Sequence, residues 1–525
     1  MWSAEQRKIE ALSLAVLLGV MAASFAWIGL QVYAYRAYQM DLDEALHANR
    51  GLDIASALRR GSLTDLWAET VKPDWYPPAH GYLVAAWFLL VGVSTTSARI
   101  YAAVCFVLLG VLLWASAKEV FPNAPPLLLL TPALFLLSDN QHLIHASLSM
   151  LDLPANLLAM ASLYFMVKSL DETSYRNVLL TSFFALLCTL TRYSHGIMLL
   201  AALALGYLLF SFRDLKSRIF VILAAWLPAL LVLFAWLVIL GEWKWLVAYS
   251  EVQPAQAWSL EELLFYPKQL LGESSGWLPL LLTCVGAFSW IRQKQINRRA
   301  VQYLIFFGVA LALLNYRSEG TSRFGMVLLP PLWVVAVGGA TELLQYLKKQ
   351  NIRLLATGSW VILLVFLGIK NHISLPAKLS TAYENTNTGV NDAYQFIAQT
   401  LDIVHQERLK VVMFGENDSW SGFALHFYLQ SQCLSYHPNC LINVTGERVM
   451  NKGWPPKNAP EEVRNKRVEE TIAAADYLAV FAKTPILPDG WVEVARREFV
   501  FARYQIESKN YQVVILRRAV ATAAP

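Results

Sequence analysis

The chain has 525 residues, of which 56% are hydrophobic and only 15% charged, and its mean hydropathy is +0.42. A water-soluble fold cannot cover so much apolar surface with so few charges, whereas a lipid solvent requires no such cover. Disorder, a collagen-like fibre and a disulfide scaffold are excluded by the same figures, and a net charge of +5 without a dense Lys/Arg patch gives no reason to expect a nucleic-acid partner.

A bilayer span needs about 20 mostly apolar residues. The first, Ala11 to Tyr33, follows Arg7 and Lys8 and reads as a retained anchor with a cytoplasmic N-terminus. Further apolar segments fall at 79–96, 98–117, 122–138, 148–169, 176–191, 194–211, 218–240, 276–291, 300–315, 324–346 and 354–372. Basic residues cluster in three short connections: Arg213, Lys216 and Arg218; Arg292, Lys294, Arg298 and Arg299; Lys348, Lys349 and Arg353. The positive-inside rule places all three in the cytoplasm, so loop 242–276 and everything after Asn371 face the other side. That parity needs one more crossing than the apolar runs supply. The expectation is about 13 spans, with the hidden one in 120–150, where Pro125, Pro126 and Pro132 interrupt the pattern.

From His372 onward charges become frequent and apolar runs shorten to strand length at Lys410–Phe414, Tyr477–Phe481 and Tyr511–Leu516, with helical patterns at Asp392–His405 and Glu461–Ala475 between them. The expected architecture is an α-helical polytopic membrane protein, residues 1–373, followed by a soluble α/β domain, residues 374–525, on the outer side. Two outer loops hold the remaining polar material. In 34–78, Leu63, Leu66 and Trp67 repeat at the spacing of a helix lying on a membrane surface. Loop 242–276 is rich in aromatics (Trp243, Trp245, Tyr249, Trp258, Phe265, Tyr266), rings suited to the headgroup layer or a bound glycolipid. Cys433 and Cys440 are the plausible disulfide of the outer domain; Cys105, Cys188 and Cys284 sit in apolar spans.

Phosphate-binding loops, dinucleotide fingerprints, C-x-x-C and H-E-x-x-H are absent from the sequence, which leaves polar residues at span ends as the place for chemistry. Four constellations stand out. Asp41, Asp43 and Glu44 follow the first span, where a carboxylate can deprotonate a hydroxyl or simply be a solvated loop acid. Tyr76-Pro77-Pro78-Ala79-His80 opens the second, as an aromatic anchor or a substrate contact. Asp152 with Pro154 marks an acid at the mouth of an apolar segment, either a helix cap or a functional group. Arg192, Arg317 and Arg323 fall on the outer side against the positive-inside trend, and an outer guanidinium suits a phosphate. Asp139, His142 and His145 share a spacing that makes a divalent metal conceivable, with an ordinary polar turn as the alternative; no cofactor is required.

In their order, these motifs resemble the membrane module of the GT-C glycosyltransferases, in the branch of dolichyl-phosphate-mannose protein mannosyltransferases and bacterial aminoarabinose transferases. The shared pattern is Asp43-Glu44 after the first span, Pro77-Pro78, Arg99, Asp152-x-Pro154, Leu190-Thr191-Arg192, and Arg323-Phe324 before Pro330. Tyr76 stands where many relatives have a charged residue before Pro-Pro, and Phe324 where Tyr is common, which makes Tyr316 the alternative phosphate-directed hydroxyl.

A bacterial inner membrane is the preferred location, with an endoplasmic-reticulum protein as the alternative because Asn417-Asp418-Ser419 and Asn443-Val444-Thr445 match glycosylation sequons. The resemblance implies an integral protein that takes a sugar from a polyprenyl-phosphate donor. It implies a hydroxyl-bearing lipid, glycan or protein acceptor, with the outer domain periplasmic and the sugar inverted. Asp43 would be the general base and Asp152 part of the sugar and acceptor site. Arg192 and Arg323 would contact the phosphate, with Glu44, Tyr76, His80, Arg99 and Tyr316 as further substrate contacts. A transporter or flippase of a lipid-linked precursor is the competing expectation. It calls for internal repeats and mid-membrane charges, and the sequence shows no repeat.

Overall fold

The computed structural model describes residues 4–36, 40, 42–72, 76–171, 174–211, 215–239, 264–272, 276–317, 322–347, 349–384, 390–414, 422–437, 440–446, 461–482, 485, 488–503 and 506–519. Asp41, Trp75, the first four aromatics of loop 242–276, the Asn417–Ser419 sequon and the side chains of Tyr316 and Arg317 lie outside that description.

The first apolar run forms α1 (Ala4–Ala34). Two amphipathic helices follow, α2 (Leu42–Arg60) and α3 (Leu63–Val71). Ser62 starts α3 by accepting the Asp65 N–H at 3.2 Å, and Leu63 and Trp67 remain exposed on its surface as the i, i+4 spacing requires. Then come α4 (Ala79–Val91), α5 (Thr95–Val120), a short 3-10 turn at Leu128–Leu130, α6 (Thr131–Ser138) and α7 (Asn140–His145). The bundle continues with α8 (Asp152–Asp171), α9 (Tyr175–Thr191), α10 (Tyr193–Ser211) and α11 (Leu215–Phe234), which ends in a π turn at Ala235–Ile239. It closes with α12 (Phe265–Gly272), α13 (Trp277–Gln293), α14 (Arg298–Arg317), a 3-10 turn at Ser322–Leu328, α15 (Leu329–Gln345) and α16 (Gln350–Glu384). Six of these helices are long and apolar enough to cross a membrane, and α4, Leu128–Ser138, α9 and Leu223–Val238 are shorter apolar segments.

Segment 79–96, expected as a span, behaves differently. α4 has thirteen residues, about 20 Å of helix against a hydrocarbon core of about 30 Å. Its start and its far half both meet the first turns of α5: the His80 ring lies 5.9 Å from Tyr101, and the Trp87 indole N–H donates to Ser97 O at 2.9 Å. Phe88 then packs on Phe427 of the C-terminal domain. α4 therefore lies along one end of the bundle, sandwiched with α2. Segment 121–151 does run the length of the bundle. Ser13 donates to Pro126 O, Trp360 to Thr131, Asn371 to Ser138 O and Lys378 to Asn140, a series that climbs beside α16.

The C-terminal region folds as α17 (Val390–Thr400), β1 (Arg408–Phe414), α18 (Gly422–Tyr436), β2 (Leu441–Gly446), α19 (Glu461–Ala473), β3 (Tyr477–Ala482), β4 (Trp491–Arg503) and β5 (Ile506–Arg518). The sheet order is β2-β1-β3-β5-β4, with β1 parallel to β2 and β3, and β5 antiparallel to β3 and β4. Cys433 and Cys440 are bonded, their Cα atoms 6.0 Å apart, tying the end of α18 to the start of β2. The boundary expected at 373/374 falls inside α16, which continues to Glu384.

α2 joins the two regions. Ala45, Ala48, Leu52 and Ala55 share one apolar core with Val84, Phe88, Leu425 and Phe427. Asn49 donates to Phe423 O at 2.7 Å, and Asp53 accepts from His426 Nε2 at 3.1 Å.

Candidate active site

The site is built where the ends of α2, α8, α9 and the Ser322–Leu328 turn meet. Asp43 occupies the first turn of α2, a favourable place for an anion beside unpaired backbone N–H groups, and accepts from Arg323 Nη1 at 2.7 Å across 280 residues of sequence. Asp152 opens α8 in the same way and is bonded to Arg192. Arg192 sits in extended backbone at the elbow between α9 and α10. That elbow is tight because Gly196 lies where a Cβ would be 2.5 Å from Thr189, so only glycine permits the approach. Phe324 separates the two cations, with the Arg192 and Arg323 guanidinium carbons 4.8 and 5.2 Å from its ring centre, within cation–π range.

Beside these pairs, Glu44 and Arg99 form a fully buried bidentate bridge, with Nε–Oε1 at 3.1 Å and Nη2–Oε2 at 2.9 Å. Glu44 also accepts the Ser149 N–H at 2.8 Å, and Arg99 donates to Tyr35 O at 3.2 Å. This ion pair thus holds together the end of α1, α2, α5 and the turn before α8.

Tyr76 and His80 arrive from the Pro-Pro entry to α4, and His47, one turn along α2 from Asp43, stands between them at ring distances of 5.0 and 5.7 Å. Burial, then the charges of Arg323 and Arg192, push His47 down to about 3, so its imidazole is neutral at physiological pH. Burial raises the Tyr76 hydroxyl above its ordinary value. Tyr266 of α12 is buried under Gly325, its ring carbon 3.3 Å from a would-be Cβ, and burial raises its hydroxyl to about 12 against the opposing charge of Arg192.

The Asp139, His142 and His145 trio is otherwise engaged. His142 Nδ1 bonds Asp139 Oδ2 at 2.7 Å, and His145 Nδ1 meets Gln141 O at 2.9 Å. Among the described residues, no group of three His, Cys, Asp or Glu is placed to hold a metal ion.

The sequence-predicted residues Asp43, Asp152, Arg192 and Arg323 thus converge, with Tyr76 and His80 alongside and Glu44–Arg99 buried next to Asp43. His47 and Tyr266 are the residues that sequence reasoning passed over as site members. His47 offered one signal, its i+4 spacing from Asp43; Tyr266 offered none beyond membership of an aromatic loop.

The fold defines the class: this is an integral membrane protein, six of its described helices long and apolar enough to cross a bilayer, with the fold of the solved structures of ArnT and AglB. Over its full length it is similar to ArnT from Cupriavidus metallidurans bound to undecaprenyl phosphate, with a TM-score of 0.58 at 14% identity, covering 98% of this chain and 99% of that one. The apo state of the same ArnT gives 0.57 at 15% identity and 100% of both chains. AglB, the oligosaccharyltransferase of Archaeoglobus fulgidus, in complex with an inhibitory peptide and a dolichol-phosphate, gives 0.52 at 12% identity, covering 88% of this chain and 69% of that one. In sequence, residues 76–239 match the family described as dolichyl-phosphate-mannose-protein mannosyltransferase. No curated protein matches the chain.

Proposed function

We propose that the protein is a membrane glycosyltransferase that moves a sugar from a polyprenyl-phosphate donor to a hydroxyl of a lipid, glycan or protein acceptor. The observation that carries the reading is the meeting of two aspartate–arginine pairs around Phe324 at one end of the bundle. A lipid phosphate is the anion that two such cations would recruit, and a donor held in the bilayer needs no nucleotide loop. In this reading the incoming phosphate draws Arg323 and Arg192 from their carboxylates. Asp43, released, accepts the acceptor's hydroxyl proton; the oxygen forms a bond to the anomeric carbon as the carbon–phosphate-oxygen bond breaks; and the lipid phosphate departs with the electron pair against the guanidinium groups. Direct attack inverts the anomeric centre. Asp152 holds the sugar and acceptor beside Arg192, and Tyr76 and His80 line the sugar side. Glu44 and Arg99, expected at the substrate, are better read as a brace for α2, since the side chain of each is at most 1% exposed.

The helices support an orientation with the site on the outer side. α14 carries Arg298 and Arg299 at one end and leads to the Arg323 turn at the other, and its 20 residues span about 30 Å. The inner end of α5 meets it there, with Arg299 3.0 Å from Glu119. Basic turns and site therefore occupy opposite ends. With α4 read along the rim and 121–151 read as a single crossing, without the hidden one expected there, the described helices give eleven crossings, an odd number that keeps the N-terminus inside and the C-terminal domain outside. A bacterial inner membrane with a periplasmic site fits this arrangement.

Purified protein in lipid nanodiscs, given radiolabelled undecaprenyl-phosphate sugars and a pool of lipid, glycan and peptide acceptors, should transfer label, and Asp43→Asn should slow transfer about 10²–10⁴-fold. Label carried across reconstituted vesicles without any new glycosidic bond would overturn the reading.

A further inference from the structure

The C-terminal domain carries a groove that sugar transfer leaves unused. It has a volume of about 510 Å³ and lies between one face of α17, at Asp392, Gln395, Phe396 and Gln399, and residues 497–500 of β4. Side chains of a strand alternate between its two faces, so four consecutive lining residues mean that the groove runs along the edge of β4 and meets its backbone. That edge is open: β4 ends the sheet, is paired with β5, and no other described strand pairs with it. The register shifts of β4 fall at Glu493/Ala495 and Phe501/Arg503, which leaves the stretch beside the groove regular and able to take a further strand. The walls suit such a strand. Phe499 is buried on the α17 side, 5.7 Å from the Phe396 ring, and forms an apolar floor. Asp392, Gln395 and Gln399 are exposed on the rim, where their side chains offer hydrogen-bonding groups to a chain lying in the groove.

We propose that this groove docks an extended peptide segment of another protein, which pairs with β4 as a sixth strand of the sheet. Strand addition here is independent of the glycosyltransferase reading above. A segment facing residues 497–500 covers about 13 Å of strand, with backbone bonds supplying affinity and the side chains opposite β4 supplying selectivity. Arg497 and Phe499 share the α17 side, the guanidinium carbon 5.4 Å from the ring centre, and Glu498 and Val500 share the other. The complementary peptide therefore sets an acid opposite Arg497, a base opposite Glu498, and apolar residues opposite Phe499 and Val500. A second copy of this chain fits less well. Pairing two β4 edges about a two-fold axis brings a second α17 to the same side of the sheet, into the groove that the first one lines. An acyl chain fits less well still, since five of the eight lining residues are polar.

The test uses the full-length protein in nanodiscs and two fluorescent octapeptides, Thr-Thr-Val-Val-Lys-Glu-Thr-Thr and the same residues in reverse order, which present the pattern to β4 in its two strand directions. One of them should bind saturably at about 100 μM or below, by anisotropy, and not to empty nanodiscs. Exchanging its Lys and Glu should weaken binding about fivefold or more. Arg497→Glu combined with Glu498→Lys, both at exposed positions, should reverse that preference, so that the exchanged peptide becomes the tighter ligand. N-methylation of alternate peptide residues separates strand pairing from loose adsorption: one of the two alternating patterns should abolish binding and the other should leave it. Bound peptide should also slow amide exchange in residues 497–500. Binding that is absent, indifferent to the Lys/Glu exchange, or equally tolerant of both N-methylation patterns would overturn the proposal. So would a dimer, seen by sedimentation, that the double substitution dissociates, because the edge would then belong to a second copy.

Discussion

Replacing Arg99 by Met tests whether the buried bridge organises the site. Glu44 accepts three hydrogen bonds, two from Arg99 and one from the Ser149 N–H, and neither charged side chain is more than 1% exposed. Arg99→Met keeps the bulk but leaves the carboxylate buried without its counter-charge. Removing one partner of a buried pair costs about 3–5 kcal/mol, because the remaining charge has lost both its water and its counter-charge. Replacing both partners, Glu44→Leu with Arg99→Met, removes the stranded charge and should restore stability to within about 1 kcal/mol of the parent. SDS-driven unfolding in mixed micelles, followed by tryptophan fluorescence, gives the four corners of a double-mutant cycle. An Arg99→Met variant within about 1 kcal/mol of the parent, the range of an exposed pair, would refute the reasoning.

Asp43→Asn should lower the transfer rate by about 10²–10⁴-fold with donor binding retained, as single-turnover kinetics with a saturating donor would show. Arg192→Ala and Arg323→Ala should each weaken undecaprenyl phosphate binding about 10- to 100-fold, the worth of a charge-assisted hydrogen bond, and isothermal titration would read it. His47 is held neutral down to about 3, below the unfolded value of 6.5, so the unfolded chain binds a proton that the folded chain does not. Folding stability therefore falls as pH drops from about 6.5 toward 3, and His47→Gln should reduce that slope by up to about 1.4 kcal/mol per pH unit in micelle unfolding series. Burial would raise Asp53, but Lys72 and His426 hold it well below its ordinary range, so its contribution is present above about 3.8 and lost in stronger acid. His426→Ala should loosen the C-terminal domain from α2, seen as faster amide exchange in Asn49–Ser56.

Much of the bundle was legible because lipid-facing and core helices both require long apolar runs, and those runs are present for α1, α5, α8, α10 and α16. α4 misled because thirteen apolar residues read the same whether lipid or protein covers them; Phe427, which covers part of α4, lies more than 300 residues away. α2 read as an acidic loop because its sequence is polar with Gly51 in the middle, yet it is helical because α4 and α18 pack against it and Gly51 lets Val84 approach. β4 escaped notice since Glu493, Arg496, Arg497 and Glu498 break its apolar alternation; as the edge strand it keeps those charges in solvent. β2 was too short and polar to register as a run. In the site, the motif order pointed to the participants. The partnerships, Asp43 with Arg323 and Asp152 with Arg192, were not legible, because they depend on which helix ends meet.

The helix that presents Asp43 at one end is clamped along its length by the C-terminal domain through Asn49, Asp53 and the face of Ala48, Leu52 and Ala55. The outer domain is consequently no detachable accessory: exchanging it between related proteins, or trimming it away, would strip the cover from that face and let the carboxylate drift. A chimera that is to keep its activity must transplant α2 together with the domain that grips it.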